Sequence, residues 1–178
     1  MTDRMNEILG LPPKPSGVKK EARNGWSSRD PSLESISEIQ INPPVCGPET
    51  EARLEQNRGM IPEEAIAAFR RAGEYLSIRN YGRAVSDYTR AIEYSPRSTE
   101  SYYNRGIAHE KAGKLSKAVE DYSGAIEADP QYVRAYCNRA SLLWSLGEKE
   151  WAVDDMKIAA RLGHGEMQRY LKSKGIEW

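Results

Sequence analysis

The sequence predicts an all-α fold of three tandem helix pairs and a C-terminal capping helix, with a disordered N-terminal tail. Three observations predict it. Alanines recur every 34 residues, at Ala84, Ala118 and Ala152. Each copy of this period divides into two amphipathic segments. Eight of the ten prolines fall at or before Pro62. A period of this length is typical of stacked helical repeats.

The tail covers residues 1–60. Runs such as LPPKPSG and INPPVCGPE exclude regular helix and central strand, because proline fixes φ and removes a backbone donor. The tail also has too little regularly spaced apolar surface to offset the chain entropy lost on folding. Two short segments are candidate exceptions: residues 3–9, as two helical turns, and residues 49–58, as an extension of the first folded helix.

The folded region begins at residue 61. Pro62 is predicted at the first helical position, followed by Glu63 and Glu64, whose charges suit the positive end of the helix dipole. Three further columns keep the 34-residue period. They are Ala91/Ala125/Ala159, Tyr88/Tyr122/Met156 and Pro96/Pro130/His164.

These columns predict how the helices pack. The alanines and Gly106 mark close approach of two helices, and the tyrosines fill the space between neighbouring pairs. Gly113 and Gly147 are predicted in the turns between paired helices, where a positive φ is needed. Residues 165–174 are predicted to form a capping helix that places Met167, Tyr170 and Leu171 on one side, because an uncapped last repeat would expose an apolar face.

The pattern of an aromatic, a small residue four places later, a loop glycine and then Ala…Tyr…Ala…Pro resembles the tetratricopeptide repeat. The resemblance implies a right-handed superhelix whose concave face is built by the first helix of each pair. It places a repeat domain at 61–178, with repeats at about 65–98, 99–132 and 133–164 and the capping helix at about 165–174. The first repeat is the least regular, since Gly73 falls one place late and Ala72 takes the small-residue column.

Charge and cysteine content limit the classes of function and the compartment that are expected. The 26 Lys and Arg balance the 26 Asp and Glu, which argues against nucleic-acid binding and against a polybasic membrane surface. No apolar run approaches the length of a membrane span, and the N-terminus lacks a signal-peptide layout. Two cysteines, Cys46 and Cys137, suit a reducing compartment. The cytoplasm is therefore the expected location.

Catalysis is not predicted. Of the two histidines, His109 falls in a packing column and is expected to be core or half-buried, while His164 replaces a repeat-ending proline and is expected to cap a helix. The acidic run of Glu150, Asp154 and Asp155 is expected to be a solvated helix face. No phosphate loop, paired-cysteine motif or histidine pair with metal spacing is present. We therefore expect no enzymatic activity, cofactor or metal.

The resemblance implies a peptide-binding groove on the concave face, with Asn104 and Arg134 facing solvent in the free protein. The predicted peptide-binding residues are Phe69, Arg70, Leu76, Tyr103, Asn104, Ile107, Arg134, Asn138 and Trp144. One subfamily grips the C-terminal carboxylate of heat-shock chaperones with Lys…Asn, Asn and Lys…Arg across three repeats. Asn104 and Arg134 match that clamp, and Arg70 matches after realignment, but Glu74 and Asn138 replace an Asn and an Arg.

The predicted function is an adaptor, similar to a co-chaperone, that binds a peptide of another protein. A structural subunit anchored through Trp144, Trp151 or Trp178 is the alternative, and self-association is left open. Short apolar segments of the tail form a third candidate site. One interpretation is that these segments bind a partner, and a second is that they lie in the chain's own groove. The third is that the tail has no binding role.

Overall fold

The computed structural model describes residue 52 and residues 62–178. Residues 62–178 form seven helices and no β-strand: α1 Glu63–Ser77, α2 Tyr81–Tyr94, α3 Thr99–Lys111, α4 Leu115–Ala128, α5 Val133–Ser145, α6 Lys149–Arg161 and α7 Gly165–Ser173. The predicted all-α class is confirmed. The predicted disordered tail and the turns at 3–9 lie outside the described residues. So does the extension at 49–58, apart from Ala52, which is helical and exposed.

The helices pack as consecutive pairs. Helix α1 packs on α2, α3 on α4 and α5 on α6, and the second helix of each pair also contacts the first helix of the next. Helix α7 packs on α6 and buries Met167 and Leu171. The last apolar face is therefore covered by a short helix whose other side is polar.

Small residues allow the paired helices to approach closely. Ala84, Ala118 and Ala152 are each 0% exposed. A Cβ atom added to Gly106 of α3 would lie 2.7 Å from Cε1 of Tyr122 in α4, which is too short for any real contact. The predicted close-approach columns are confirmed, and a larger side chain at these positions must push the pair apart.

The turn between paired helices needs a residue with positive φ. Gly113 and Gly147 adopt φ of 74° and 85°, as predicted. The first pair makes the same turn with Arg79, which lies in their column and adopts φ of 60°. A side chain in this conformation costs roughly 1–2 kcal/mol. The sequence interpretation concentrated on Gly73 and did not identify this strained position.

The two ends of the array have distinct helix caps. Pro62 is the N-cap of α1 rather than its first helical residue, with φ of −55° and ψ of 138°. His164 is the N-cap of α7, and its Nδ1 accepts a hydrogen bond from the Met167 backbone N–H at 3.3 Å. The predicted capping role of His164 is therefore confirmed.

An arginine on the first helix of each pair binds an aspartate on the second, 16 residues later. In the middle pair, Arg105 Nη2 lies 2.6 Å from Asp121 Oδ1. The distance from Arg139 Nη2 to Asp155 Oδ1 in the last pair is also 2.6 Å. Arg71 and Asp87 form the same bidentate pair in the first. We call these three ion pairs the Arg–Asp ladder.

The ladder also crosses the junctions between pairs. Arg105 Nη1 donates to Thr89 Oγ1 of α2 at 3.1 Å, and Arg139 Nη1 donates to Ser123 Oγ of α4 at 2.9 Å. Each hydroxyl donates its own proton to a carbonyl four residues earlier in its helix, at 2.8 Å, which leaves the oxygen free to accept. One guanidinium thus fixes both the pairing of two helices and the stacking on the preceding pair.

Burial differs along the ladder. The side chain of Arg71 is 44% exposed, against 19% for Arg105 and 13% for Arg139. Asp155 is 3% exposed, so the expectation of a solvated acidic face was wrong for this residue. It failed because Asp155 lies on the side of α6 that faces Arg139. Neighbouring Glu150 is exposed and Asp154 half-buried.

The pKa values of the aspartates follow this gradient. The hydrogen bond from Arg71 lowers the pKa of Asp87 below its ordinary value. Burial is the largest effect on Asp121 and Asp155, and it raises the pKa of both carboxyls although each faces an arginine.

Candidate functional site

The first helix of each pair has one side turned away from its partner helix. In α3, Arg105 and Gly106 contact α4. At about 100° per residue, Asn104 and Ile107 lie on the opposite side. The corresponding arginines of α1 and α5 fix the same orientation there. We call this side the inner face and define it by Arg70, Gly73, Glu100, Asn104, Ile107, Arg134, Asn138 and Ser141.

The inner face contains five of the nine predicted peptide-binding residues. These are Arg70, Asn104, Ile107, Arg134 and Asn138. By helical spacing, the other four lie about a quarter-turn away, on the flank: Phe69, Leu76, Tyr103 and Trp144. Arg70 is exposed and Arg134 and Trp144 are half-buried, whereas the other six are buried.

Asn104 is 0% exposed, so the expectation that it faces solvent was wrong. That expectation assumed that a side chain turned away from the partner helix is open to water. A buried amide keeps hydrogen-bond partners in a folded protein, because an unpaired one is costly. Replacing Asn104 with Ala is therefore expected to reduce stability as well as any binding, and Arg134 is the cleaner probe of this face.

Asn138 links the middle and last helix pairs through two tyrosines. Its Nδ2 donates to Tyr103 OH at 3.2 Å and to Tyr122 OH at 3.3 Å. Tyr122 OH donates in turn to Glu110 Oε2 at 2.7 Å. Burial raises the pKa of both tyrosines well above the ordinary value, so the network stays protonated. Asn138 Oδ1 is buried and has no hydrogen-bond donor within the described residues.

Two aromatic residues of the flank, Phe69 and Tyr103, pack on other rings. Phe69 contacts Tyr88 edge-on, with ring centres 5.5 Å apart. Tyr103 holds the equivalent place in the middle pair, and its ring centre lies 5.2 Å from that of Tyr132 and 5.7 Å from that of Tyr122. These side chains belong to the core cluster, and substituting them will disturb packing before it disturbs binding.

Arg134 is the half-exposed cation of the inner face. It begins the inner face of α5 and is close enough to the Tyr103 hydroxyl to lower its pKa, against the larger effect of burial. Trp144 lies at the other end of α5 and is half-buried, and the Lys149 ammonium lies 5.2 Å from the centre of its ring. A guanidinium group and an indole ring therefore lie at opposite ends of α5.

His109 is packed within the fold of the described region, next to an acidic side chain. His109 is 7% exposed, as expected for a core position. Its Nε2 lies 3.8 Å from Asp121 Oδ2, and burial lowers its pKa. Residues 62–178 contain no group of three His, Cys, Asp or Glu side chains arranged to hold a metal ion. In the same range, no helix is long and apolar enough to cross a membrane.

The fold is similar to solved domains that bind chaperone peptides. The TPR2B domain of yeast Sti1, in a complex with pHsp70, is 26% identical with a TM-score of 0.58, over 64% of this chain and 98% of that one. The second TPR domain of human RPAP3, in complex with HSP70 peptide SGPTIEEVD, is 26% identical with a TM-score of 0.57, over 65% and 98%.

The second TPR domain of Spaghetti (RPAP3), bound to HSP90 peptide SRMEEVD, is 27% identical with a TM-score of 0.54, over 62% and 98%. No curated protein sequence matches the chain. A family profile described as tetratricopeptide repeat matches residues 69–133 and 110–166, which together cover more than half of the 178 residues. The chain therefore belongs to the tetratricopeptide repeat family.

Proposed function

We propose that this protein is an adaptor, similar to a co-chaperone, that binds an extended peptide of a partner protein on its inner face. The observation that carries the proposal is the alignment of Asn104, Asn138 and Arg134 on the same side of two consecutive first helices. Asn138 Nδ2 already donates to two tyrosines, so its Oδ1, which has no donor within the described residues, is the atom that would accept from a peptide N–H. Arg134 adds a donor that suits an acidic side chain or a carboxylate.

The structural neighbours support a peptide of acidic character. The two peptides named in the RPAP3 complexes both end in the residues EEVD, so they present several carboxylates close together. In this chain, Arg134 and Arg70 supply positive charge on the inner face, whereas Glu74 replaces the Asn that the chaperone-binding subfamily uses. We therefore propose binding through the peptide backbone and a reduced set of carboxylate contacts.

The proposed compartment is the cytoplasm. Cys137 is a buried free thiol, and burial raises its pKa to about 12. A thiol with so little thiolate at neutral pH is not adapted for disulfide chemistry. A cytoplasmic adaptor would meet chaperone C-termini in the same compartment.

The proposal is tested by titrating the purified chain with fluorescein-labelled SGPTIEEVD and measuring anisotropy at two salt concentrations. Arg134→Ala should weaken binding roughly tenfold and reduce the salt dependence, because it removes a charge from the contact. Arg97→Ala removes an exposed arginine from the α2–α3 connection and is the matched control.

Two results would contradict parts of this proposal. If Arg134→Ala binds the peptide like the wild-type chain, the inner face is not the binding surface. If an amidated peptide binds as well as the free acid, the terminal carboxylate is not recognised, and the likeness to chaperone-binding domains does not extend to their ligand. Circular dichroism of each variant establishes that the helices are retained.

A further inference from the structure

The centre of the inner face is covered. Asn104 and Ile107 point away from α4, yet they are 0% and 3% exposed, and Asn138 of α5 is 1% exposed. Lys111 and Ser145, at the C-terminal ends of the same two helices, are exposed. Burial therefore runs as a band across the middle of α3 and α5 and ends before the turns that follow them.

We propose that residues 36–45 of this chain, ISEIQINPPV, lie across this band as an intramolecular peptide that competes with a partner. This inference rests on the proposed function, because it assigns the same face an internal ligand. The partner-binding site would then be self-blocked, and a partner would bind by displacing the segment.

The composition of residues 36–45 fits an extended ligand. Four of its ten residues are aliphatic, and Pro43 and Pro44 favour an extended backbone. Ile39 and Ile41 share one side of an extended chain, which suits an apolar contact to Ile107. An extended segment also presents backbone N–H and C=O groups to the amides of asparagine side chains.

Charge favours the same segment, which contains Glu38, together with its flanks. Between Arg29 and Arg53 the sequence contains no Lys or Arg but five acids, Asp30, Glu34, Glu38, Glu49 and Glu51. The inner face carries two arginines, Arg70 and Arg134, against one acid, Glu100. An acidic stretch with an apolar centre is therefore complementary to a face with arginines around a band that holds Ile107.

The connection to α1 is long enough. Residues 46–61 join the segment to Pro62, and sixteen extended residues span up to about 50 Å. First helices of neighbouring pairs are spaced roughly 10 Å apart, so the segment reaches any of α1, α3 and α5. A tether of this length gives an effective concentration on the order of millimolar, which fills even a weak site.

The full-length chain allows a direct test. Cys46 directly follows the segment, and Cys137 is buried with its pKa raised to about 12, so a nitroxide reagent will label Cys46 selectively. Paramagnetic broadening of backbone amide signals then reports what lies near the label. The signals of Asn104, Ile107 and Asn138 should broaden at least several-fold more than those of Glu93 and Lys117, which are exposed on second helices.

Sequence changes inside and outside the segment sharpen the test. Ile39→Asp combined with Ile41→Asp should abolish the broadening, and it should strengthen binding of SGPTIEEVD several-fold because the internal competitor is lost. Val18→Asp, elsewhere in the same tail, is the matched control and should leave both measurements unchanged.

Three outcomes would overturn the proposal. They are no broadening on α3 and α5, broadening that survives the double change, and broadening that grows with protein concentration, which would assign the contact to a second copy. Peptide binding is a separate measurement. If SGPTIEEVD binds neither the wild-type chain nor the double variant, the proposed chaperone-like ligand is wrong, while the broadening still decides the internal contact.

Discussion

The first and middle helix pairs carry the same residue columns, yet they use them differently. The first pair makes its ion pair through a side chain that is 44% exposed and turns at Arg79 with φ of 60°. In the middle pair the Arg105 side chain is only 19% exposed and donates a hydrogen bond to Thr89 of the preceding pair. The turn of this pair uses Gly113. The same residue column therefore contributes more to stability in a repeat that has neighbours on both sides.

The largest difference between the two pairs is expected from their arginines. Arg105→Met should lower the free energy of unfolding by about 3 kcal/mol, because it leaves the Asp121 carboxylate buried without its cation. Arg71→Met should cost clearly less, since water reaches the 44% exposed Arg71 side chain and screens its ion pair, although the Asp87 carboxylate is itself buried. Urea unfolding followed by circular dichroism measures both. Equal losses would show that enclosing the arginine does not strengthen its ion pair.

Packing changes should give the next largest effect. Ala118→Leu should cost about 1–3 kcal/mol or more, because it overpacks the closest approach of α3 and α4. Gly106→Ala should also destabilise, since its Cβ would lie 2.7 Å from the Tyr122 ring. Gly82→Ala in α2 is the matched control: its Cβ meets nothing within 4 Å, and it should gain up to about 1 kcal/mol from helix propensity. If Ala118→Leu melts like the wild-type chain, close approach does not limit side-chain size at this position.

A smaller effect should come from the turn of the first pair. Arg79→Gly should raise the free energy of unfolding by about 0.5–1 kcal/mol, because glycine adopts positive φ without a steric cost but loses more backbone entropy on folding. The reciprocal change, Gly113→Arg, places the same strain in the middle pair and should lower stability by a similar amount. Thermal unfolding of the two variants compares the turns directly, and a loss of stability in Arg79→Gly would contradict the strain at this residue.

The smallest effect should appear as pH dependence in the middle pair. Because burial lowers the pKa of His109, the unfolded chain binds a proton here more readily than the folded chain. The stability contributed by neutral His109 is complete above the ordinary histidine pKa of about 6.5 and is lost as pH falls from there through the lower pKa of the folded state. Asp121, whose pKa is raised, contributes with the opposite sign.

Replacing His109 isolates that contribution. His109→Tyr introduces the residue found at the equivalent Tyr75 of the first pair. Urea unfolding at pH 7.5 and 5.5 should then show a smaller loss of stability on acidification for the variant than for the wild-type chain. An equal or larger loss in the variant would mean that His109 is not kept neutral by its surroundings.

Much of the fold could be predicted from the sequence because its small and turn residues have single roles. Gly106 and Ala118 have no alternative to close approach at that spacing, and Gly113 and Gly147 take the positive φ that other residues resist. His164 was predicted as a cap from its place at a repeat end. The repeat boundaries themselves, and the domain span of 61–178, remain predictions.

The regular spacing of the charged residues could also have been used to predict contacts between the helices. Arg71, Arg105 and Arg139 keep the 34-residue period, as do Asp87, Asp121 and Asp155. Paired charge columns 16 residues apart would have indicated buried ion pairs and corrected the interpretation of Asp155. The burial of Asn104 could not be predicted from the repeat period. A residue turned away from its partner helix is exposed or buried according to what lies against that face, and the period of the sequence does not show this.

Within residues 62–178, the junction contacts of the ladder end with Arg139. The column of Thr89 and Ser123, whose hydroxyls receive the arginine of the following pair, continues at Lys157 in the last pair. A fourth copy placed after α6 would direct its guanidinium towards an ammonium group instead of an oxygen, and like charges repel. Duplicating the middle copy extends the array by a compatible unit, whereas growth beyond the last copy is opposed. A further Arg–Asp pair stacked on α6 would therefore lack the junction contact that Arg105 and Arg139 make, and α7 packs on α6 instead.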